Sequence, residues 1–142
     1  MKHSFAALAL AAALAGGTAA QTPDDSLFRA LGHRSGIERL TDDFVARITR
    51  DARIGMHFDG LNRQELSKQL ADQFCQLAGG PCVYEGASMK EAHAETRIDK
   101  ADFYRLVERL QDAMDAQGLP FAVQNRLLAL LAPMHRDIVN AP

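Results

Sequence analysis

From Asp24 onward, apolar residues recur along the chain at helical spacing. Ile37, Leu40, Phe44, Val45 and Ile48 make one stripe, predicting a helix over about Gly36 to Arg50. A shorter helix precedes it, with Leu27, Phe28 and Leu31 apolar, Asp24, Asp25 and Ser26 able to cap its start, and Gly32 breaking it. After the turn "FDGLNRQEL", Leu66, Leu70, Phe74 and Leu77 share a face until "GGP" ends the third helix. Met89, Ala92 and His93 fall at i, i+3 and i+4, a short helix with a histidine on an otherwise apolar face. Phe103, Val107, Leu110 and Met114 mark a long helix with Asp99 as its cap and Gly118 as its stop. The apolar "AVQNRLLALLAPMHRDIV" predicts a core helix loosened near its end by Pro133. Nothing reads as a strand, so the expected class is all-α.

Composition narrows this to one domain, since 142 residues with 47% hydrophobic content can bury one core and are too few for two. The first twenty residues differ in kind. Lys2 and His3 precede "FAALALAAALA", then "GGTAA" and polar "QTPDD", the three parts of a secretory signal peptide. The expectation is a signal peptide over 1–20 cleaved after Ala20, a domain over 21–142, and export to the periplasm. The apolar run is too short to span a bilayer core of about 30 Å, so no permanent membrane anchor is expected. Acids and bases are mixed, the net charge is −2, and no basic stripe suits a phosphate backbone, which excludes nucleic acid as a partner.

Export changes how Cys75 and Cys82 read. Between them "QLAGGP" supplies a reversal, and an oxidising compartment lets the pair close as a disulfide. The other reading is two small apolar side chains in a core. No CxxCH occurs, which excludes c-type haem attachment. For His93 the residues alone leave two readings open: a helix-edge histidine bonded to a backbone carbonyl, or a ligand.

The landmarks "HFDG", "LAGGP", "YEGASMKEAH" and "ID..DF" occur in this order across about half the chain. Together they resemble group 1 of the truncated haemoglobins, bacterial globins whose helices pack two over two around a haem, and the resemblance runs from Leu27 to about Val139. It implies haem b as cofactor and His93 as the proximal iron ligand, because neutral imidazole donates to iron while its second nitrogen is oriented by another group. Phe58 matches the aromatic packed on the porphyrin face. Tyr84, Met89, Ile98 and Phe103 line the pocket, with Leu66, Leu70 and Phe74 facing it from the third helix.

The chain departs from the family's pattern on the distal side. Where a tyrosine is common on the second helix, this chain has Val45, and Leu66 and Leu70 stand where polar side chains such as glutamine are frequent. Gln69 and Gln73 remain as distal donors, at the edge of that face. His33 replaces a usual glycine, and "ETR" at 95–97 stands where a glycine usually precedes the isoleucine. His57 and His135 are not assigned to iron.

The resemblance implies a monomeric globin that reversibly binds oxygen, carbon monoxide or nitric oxide, as in oxygen transport. Nitric oxide dioxygenase-like chemistry would require a polar distal side and an electron donor that the sequence does not identify. The competing readings are a cofactor-free helical bundle that binds a protein partner, and a periplasmic haem carrier.

Overall fold

The computed structural model describes residues 24–142, so the expected signal peptide and its cleavage after Ala20 lie outside the described residues. Seven α-helices follow in order: α1 (Ser26–Ala30), α2 (His33–Arg50), α3 (Arg63–Leu77), α4 (Met89–Ala92), α5 (Lys100–Ala116), α6 (Phe121–Leu131) and α7 (His135–Ile138). Single 3-10 turns at Gly55–Phe58 and Ala132–Met134 link α2 to α3 and α6 to α7. There is no strand among the described residues.

Local chemistry accounts for most boundaries. The Asn62 side chain accepts from the Gln64 and Glu65 backbone N–H groups and starts α3. Asp99 and Asp102 form a capping box at the start of α5. Pro133 ends the α-helical run after Leu131 and places a 3-10 turn there, as its missing N–H requires. At α1 one of the expected caps is used: Asp24 Oδ1 accepts from Ser26 N at 3.0 Å, with no side-chain cap from Asp25. One boundary differs from expectation. Helix α2 begins three residues before Gly36, because Gly32 (φ 85°) and His33 (φ 59°) turn the chain through the left-handed region straight into it.

The core is built on α2. Its stripe of Ile37, Leu40, Phe44 and Ile48 is buried, and on it pack α3 through Ala71, Phe74 and Cys75, and α5 through Leu110, Ala113 and Met114. Burying each such Leu, Ile or Phe contributes roughly 1.5–3 kcal/mol. Where α2 and α3 cross, the Ser67 hydroxyl donates to Asp42 Oδ1 and lies 3.1 Å from Thr41 Oγ1, giving the buried hydroxyl pair its partners. On the other layer α6 inserts Leu127 into the core and rests on α1, while α7 packs on α4. No helix among the described residues is long and apolar enough to cross a membrane.

Two ties fasten the loops. Cys75, fully buried on α3, is disulfide-bonded to Cys82 with 5.7 Å between their Cα atoms, which joins α3 to the segment leading to α4. Asp51, past the end of α2, accepts from Arg53 N at 2.9 Å and Arg105 Nε at 2.8 Å. Burial alone would raise its pKa, but these bonds, with the Ile54 N–H and the Arg105 charge, hold the carboxyl below its usual value.

Removing the disulfide as Cys75→Ala/Cys82→Ala should lower stability by roughly 2–3 kcal/mol, the chain-entropy value for a short loop. Urea unfolding of the double variant against wild type measures this, and an unchanged midpoint would refute it.

A carboxylate with a depressed folded-state pKa stabilises the fold above its unfolded value of about 3.9, and that contribution is lost as pH falls through the folded value. Asp51→Asn should therefore destabilise the protein at neutral pH and reduce the drop in Tm on acidification. Parallel Tm curves for the two proteins from neutral pH to about pH 3 would show that Asp51 carries none of that dependence.

Candidate functional site

The segment between the disulfide and α5 carries His93, and its construction is local. Tyr84 folds back so that its hydroxyl donates to Ala87 O at 2.7 Å, while its backbone N–H donates to Gln76 Oε1 on α3 at 2.6 Å. A Cβ on Gly86 would collide with the Tyr84 ring, which explains the Tyr84-x-Gly86 spacing. Partial burial of the ring pushes the Tyr84 pKa above its ordinary value. Ser88 and Glu91 then form a capping box: Ser88 Oγ accepts from Glu91 N, and Glu91 Oε2 accepts from Ser88 N and Oγ–H. The Ser88 hydroxyl and N–H hold the Glu91 carboxyl below its ordinary pKa, in its accepting form.

The capping box starts α4 at Met89 and puts His93 at its C-cap, four residues on. There His93 Nδ1 lies 2.7 Å from Met89 O, the backbone contact that the first of the two readings expects and that a ligand bound through the other nitrogen also allows. A carbonyl can only accept, so Nδ1 bears the proton and Nε2 of the neutral ring carries the lone pair. Nε2 makes no hydrogen bond among the described residues. His93 is half-buried, open enough for a ligand to reach this nitrogen.

The other predicted residues fall into two groups. Phe74 and Val45 are buried, at 2% and 3% exposure, whereas Leu66, Leu70 and Phe58 are half-buried and packed against the core. Met89, Ile98 and Phe103 are half-buried, with Phe103 edge-on to His135 at 4.8 Å between ring centres. Val45, Leu66 and Leu70 are the apolar set of α2 and α3. The two glutamines turn elsewhere. Gln69 Nε2 donates to Glu65 Oε1 on its own helix at 3.0 Å. Gln73, buried, points its amide nitrogen at Met89 Sδ (3.6 Å) and Met134 Sδ (4.0 Å), toward the helix that carries His93. His57 is also committed, with Nε2 at 3.4 Å from Asp102 Oδ2.

Two features at the site have no signal in the sequence pattern. His135 Nε2 is buried with no hydrogen-bond partner, beside Phe103. Asn140, after α7, reaches back with Nδ2 to His93 O at 2.6 Å and accepts from Ile98 N at 3.1 Å. A histidine in "APMHRD" and an asparagine after the last helix carry no periodicity or motif that separates them from surface polar residues.

A model of the family described as Bacterial-like globin matches residues 26–140. The group 1 truncated hemoglobin GlbN of Mycolicibacterium paratuberculosis is 28% identical over 115 residues, covering 81% of this chain and 85% of its own length. The group 1 truncated hemoglobin GlbN of Synechocystis is 29% identical over 124 residues, with 81% of this chain and 98% of that protein covered. The crystal structure of the truncated hemoglobin from Tetrahymena pyriformis in its Fe(III) form has a TM-score of 0.77 at 24% identity, covering 80% of this chain and 97% of that one. The fold is therefore the two-over-two globin sandwich, and with its helices matched from α1 to the residue that clamps the His93 segment, the chain belongs to the bacterial-like globin family.

Proposed function

We propose that this globin is exported, holds haem b through His93, and binds small diatomic gases reversibly. The observation that carries the reading is the 2.7 Å bond from His93 Nδ1–H to Met89 O, which orients the ring and leaves the Nε2 lone pair for a metal. The residues that the resemblance assigns to the pocket fit a porphyrin. Phe58, Leu66, Leu70 and Phe103 are half-buried apolar side chains with face left to give to a flat apolar ligand. His135 Nε2 is an orphaned buried polar atom beside Phe103, a condition that costs about 1–3 kcal/mol and that a polar group on a cofactor edge would relieve.

Haem, when bound, would supply an iron able to take a diatomic ligand. What the chain contributes on the distal side is apolar. Val45, Leu66 and Leu70 carry no hydrogen-bond donor, Gln69 is bonded to Glu65 on its own helix, and the Gln73 amide nitrogen lies against the sulfurs of Met89 and Met134. Such a side excludes water and favours carbon monoxide, while a polar ligand such as oxygen gains no hydrogen bond from it. That supports gas binding over nitric oxide turnover, which calls for a polar distal group and a reductant.

His93→Ala should greatly weaken haem retention or leave the iron without its protein axial ligand. Absorption spectra of the ferric, ferrous and carbon monoxide forms read this directly. A variant with wild-type ferrous spectrum and wild-type haem retention would remove His93 from the role.

Val45→Tyr should slow oxygen release several-fold, since one neutral hydrogen bond contributes on the order of 1 kcal/mol and 1.4 kcal/mol is about tenfold. Val45→Phe controls for the larger ring at a buried position. Stopped-flow oxygen dissociation is the measurement. Slow release in the wild type that quickens in Gln69→Ala or Gln73→Ala, with little change in Val45→Tyr, would mean that a glutamine reaches the ligand.

A further inference from the structure

Helix α4 is four residues long, too short to persist on its own caps, and the six residues from His93 to Ile98 beyond it are not helical. The iron-ligand reading of His93 asks for an imidazole held to a fraction of an ångström. The bond from Nδ1 to Met89 O orients the ring and the His93 N–H donates to the same carbonyl at 3.2 Å, but neither fixes the His93 carbonyl, where the chain leaves the helix. Thr96 gives part of the answer, since its N–H and its hydroxyl donate to His93 O at 3.1 and 2.7 Å. Thr96 belongs to the same segment, though, and moves with it.

We propose that Asn140 is a positioning residue for His93, a latch whose carboxamide grips both ends of the His93–Ile98 segment and ties it to the chain after α7. The proposal rests on the reading of His93 as the iron ligand. Nδ2 donates to His93 O at 2.6 Å and lies 3.4 Å from Thr96 Oγ1, while Oδ1 accepts from Ile98 N at 3.1 Å. The two partners define the orientation of the amide, because the His93 carbonyl can only accept and the Ile98 N–H can only donate. Two backbone bonds set the latch in place: Asn140 N and Ala141 N both donate to Ile98 O, at 3.0 and 3.1 Å. Packing of α7 on α4 brings this chain segment within reach.

The residue type follows from the two jobs. Serine carries its donor and acceptor on one oxygen and is too short to reach both groups, aspartate supplies the acceptor but no donor, and alanine supplies neither; a short carboxamide carries donor and acceptor on two separate atoms. His93 is thus bracketed, its ring held from Met89 and its carbonyl held from a residue 47 positions later. The chain distance explains why no local pattern announces Asn140.

Asn140→Asp and Asn140→Ala separate the latch from general anchoring of the chain end. The full chain with haem bound is compared with wild type by transfer of haem to excess apo-globin, by the iron–histidine stretching band of the ferrous form in resonance Raman, and by amide hydrogen exchange at Thr96 and Ile98. Loss of the donor to His93 should speed haem release about three- to tenfold and shift the iron–histidine band in both variants, with Ile98 kept protected only in Asn140→Asp. If Asn140→Asp keeps wild-type haem release and band, or if Asn140→Ala does, the latch is overturned. Absence of an iron–histidine band in wild type would instead overturn the haem reading. Exchange at Thr96 then decides the latch without haem: faster exchange in both variants supports it, and unchanged exchange overturns it.

Discussion

The buried stripe of α2 is the surface on which the rest of the molecule is assembled. Ile37, Leu40, Phe44 and Ile48 are each nearly or fully removed from solvent, and α3 and α5 both lie against them. A helix that serves two neighbours at once has its apolar positions committed on two sides, which is why even Thr41 on this helix is fully buried and why its hydroxyl bonds to Glu38 O. With α3 and α5 placed by α2, the connection between them is left as a short helix and loops, so it must be held by other means.

Those means are polar and specific where the core is apolar and broad. The Cys75–Cys82 bond anchors the start of the connection to the fully buried part of α3, and Arg34 bridges beside it to Asp72, whose carboxyl is held below its usual pKa by the Arg34 and Lys68 hydrogen bonds. Tyr84, the Ser88–Glu91 capping box, the Met89 carbonyl and Asn140 then pin successive points. Each is worth little more than a typical hydrogen bond, about 1 kcal/mol, yet each removes a degree of freedom from the histidine. The site is a chain of small constraints laid on a rigid helix pair.

The His93 segment and the apolar residues of α2 and α3 are built from different chemistry. On the His93 side the structure concentrates directed hydrogen bonds, and even Gln73, a polar residue of α3, is turned toward Met89. On the side of Val45, Leu66 and Leu70 there is no donor to direct. In this chain directed hydrogen bonds gather on the segment that carries His93, while Val45, Leu66 and Leu70 contribute apolar surface alone.

Most of the fold was legible because helices announce themselves by period and by cap. The stripe of α2, the cap Asp99 and the break at Pro133 are local, and the structure keeps them; on α3 only Phe74 of the predicted stripe is buried, with Ser67, Ala71 and Cys75 turned into the core instead, and the Asn62 cap carries no signal beyond the turn that precedes the helix. Gly32 and His33 moved the start of α2 because a left-handed turn is decided by backbone angles that apolar spacing does not encode. The assignment of His93 as the proposed ligand comes from the order of the surrounding landmarks. What the sequence by itself determined is therefore the set of helices, the cysteine pair and the candidate ligand. Only the tertiary structure decided that the tautomer of His93 is set by Met89, that Gln73 turns toward the methionine sulfurs, that His135 is left without a partner, and that Asn140 closes on His93 from 47 residues away. The physical reason is that a side chain's partner depends on which elements the core brings together, and hydrogen bonds between distant segments leave no periodic trace in either one.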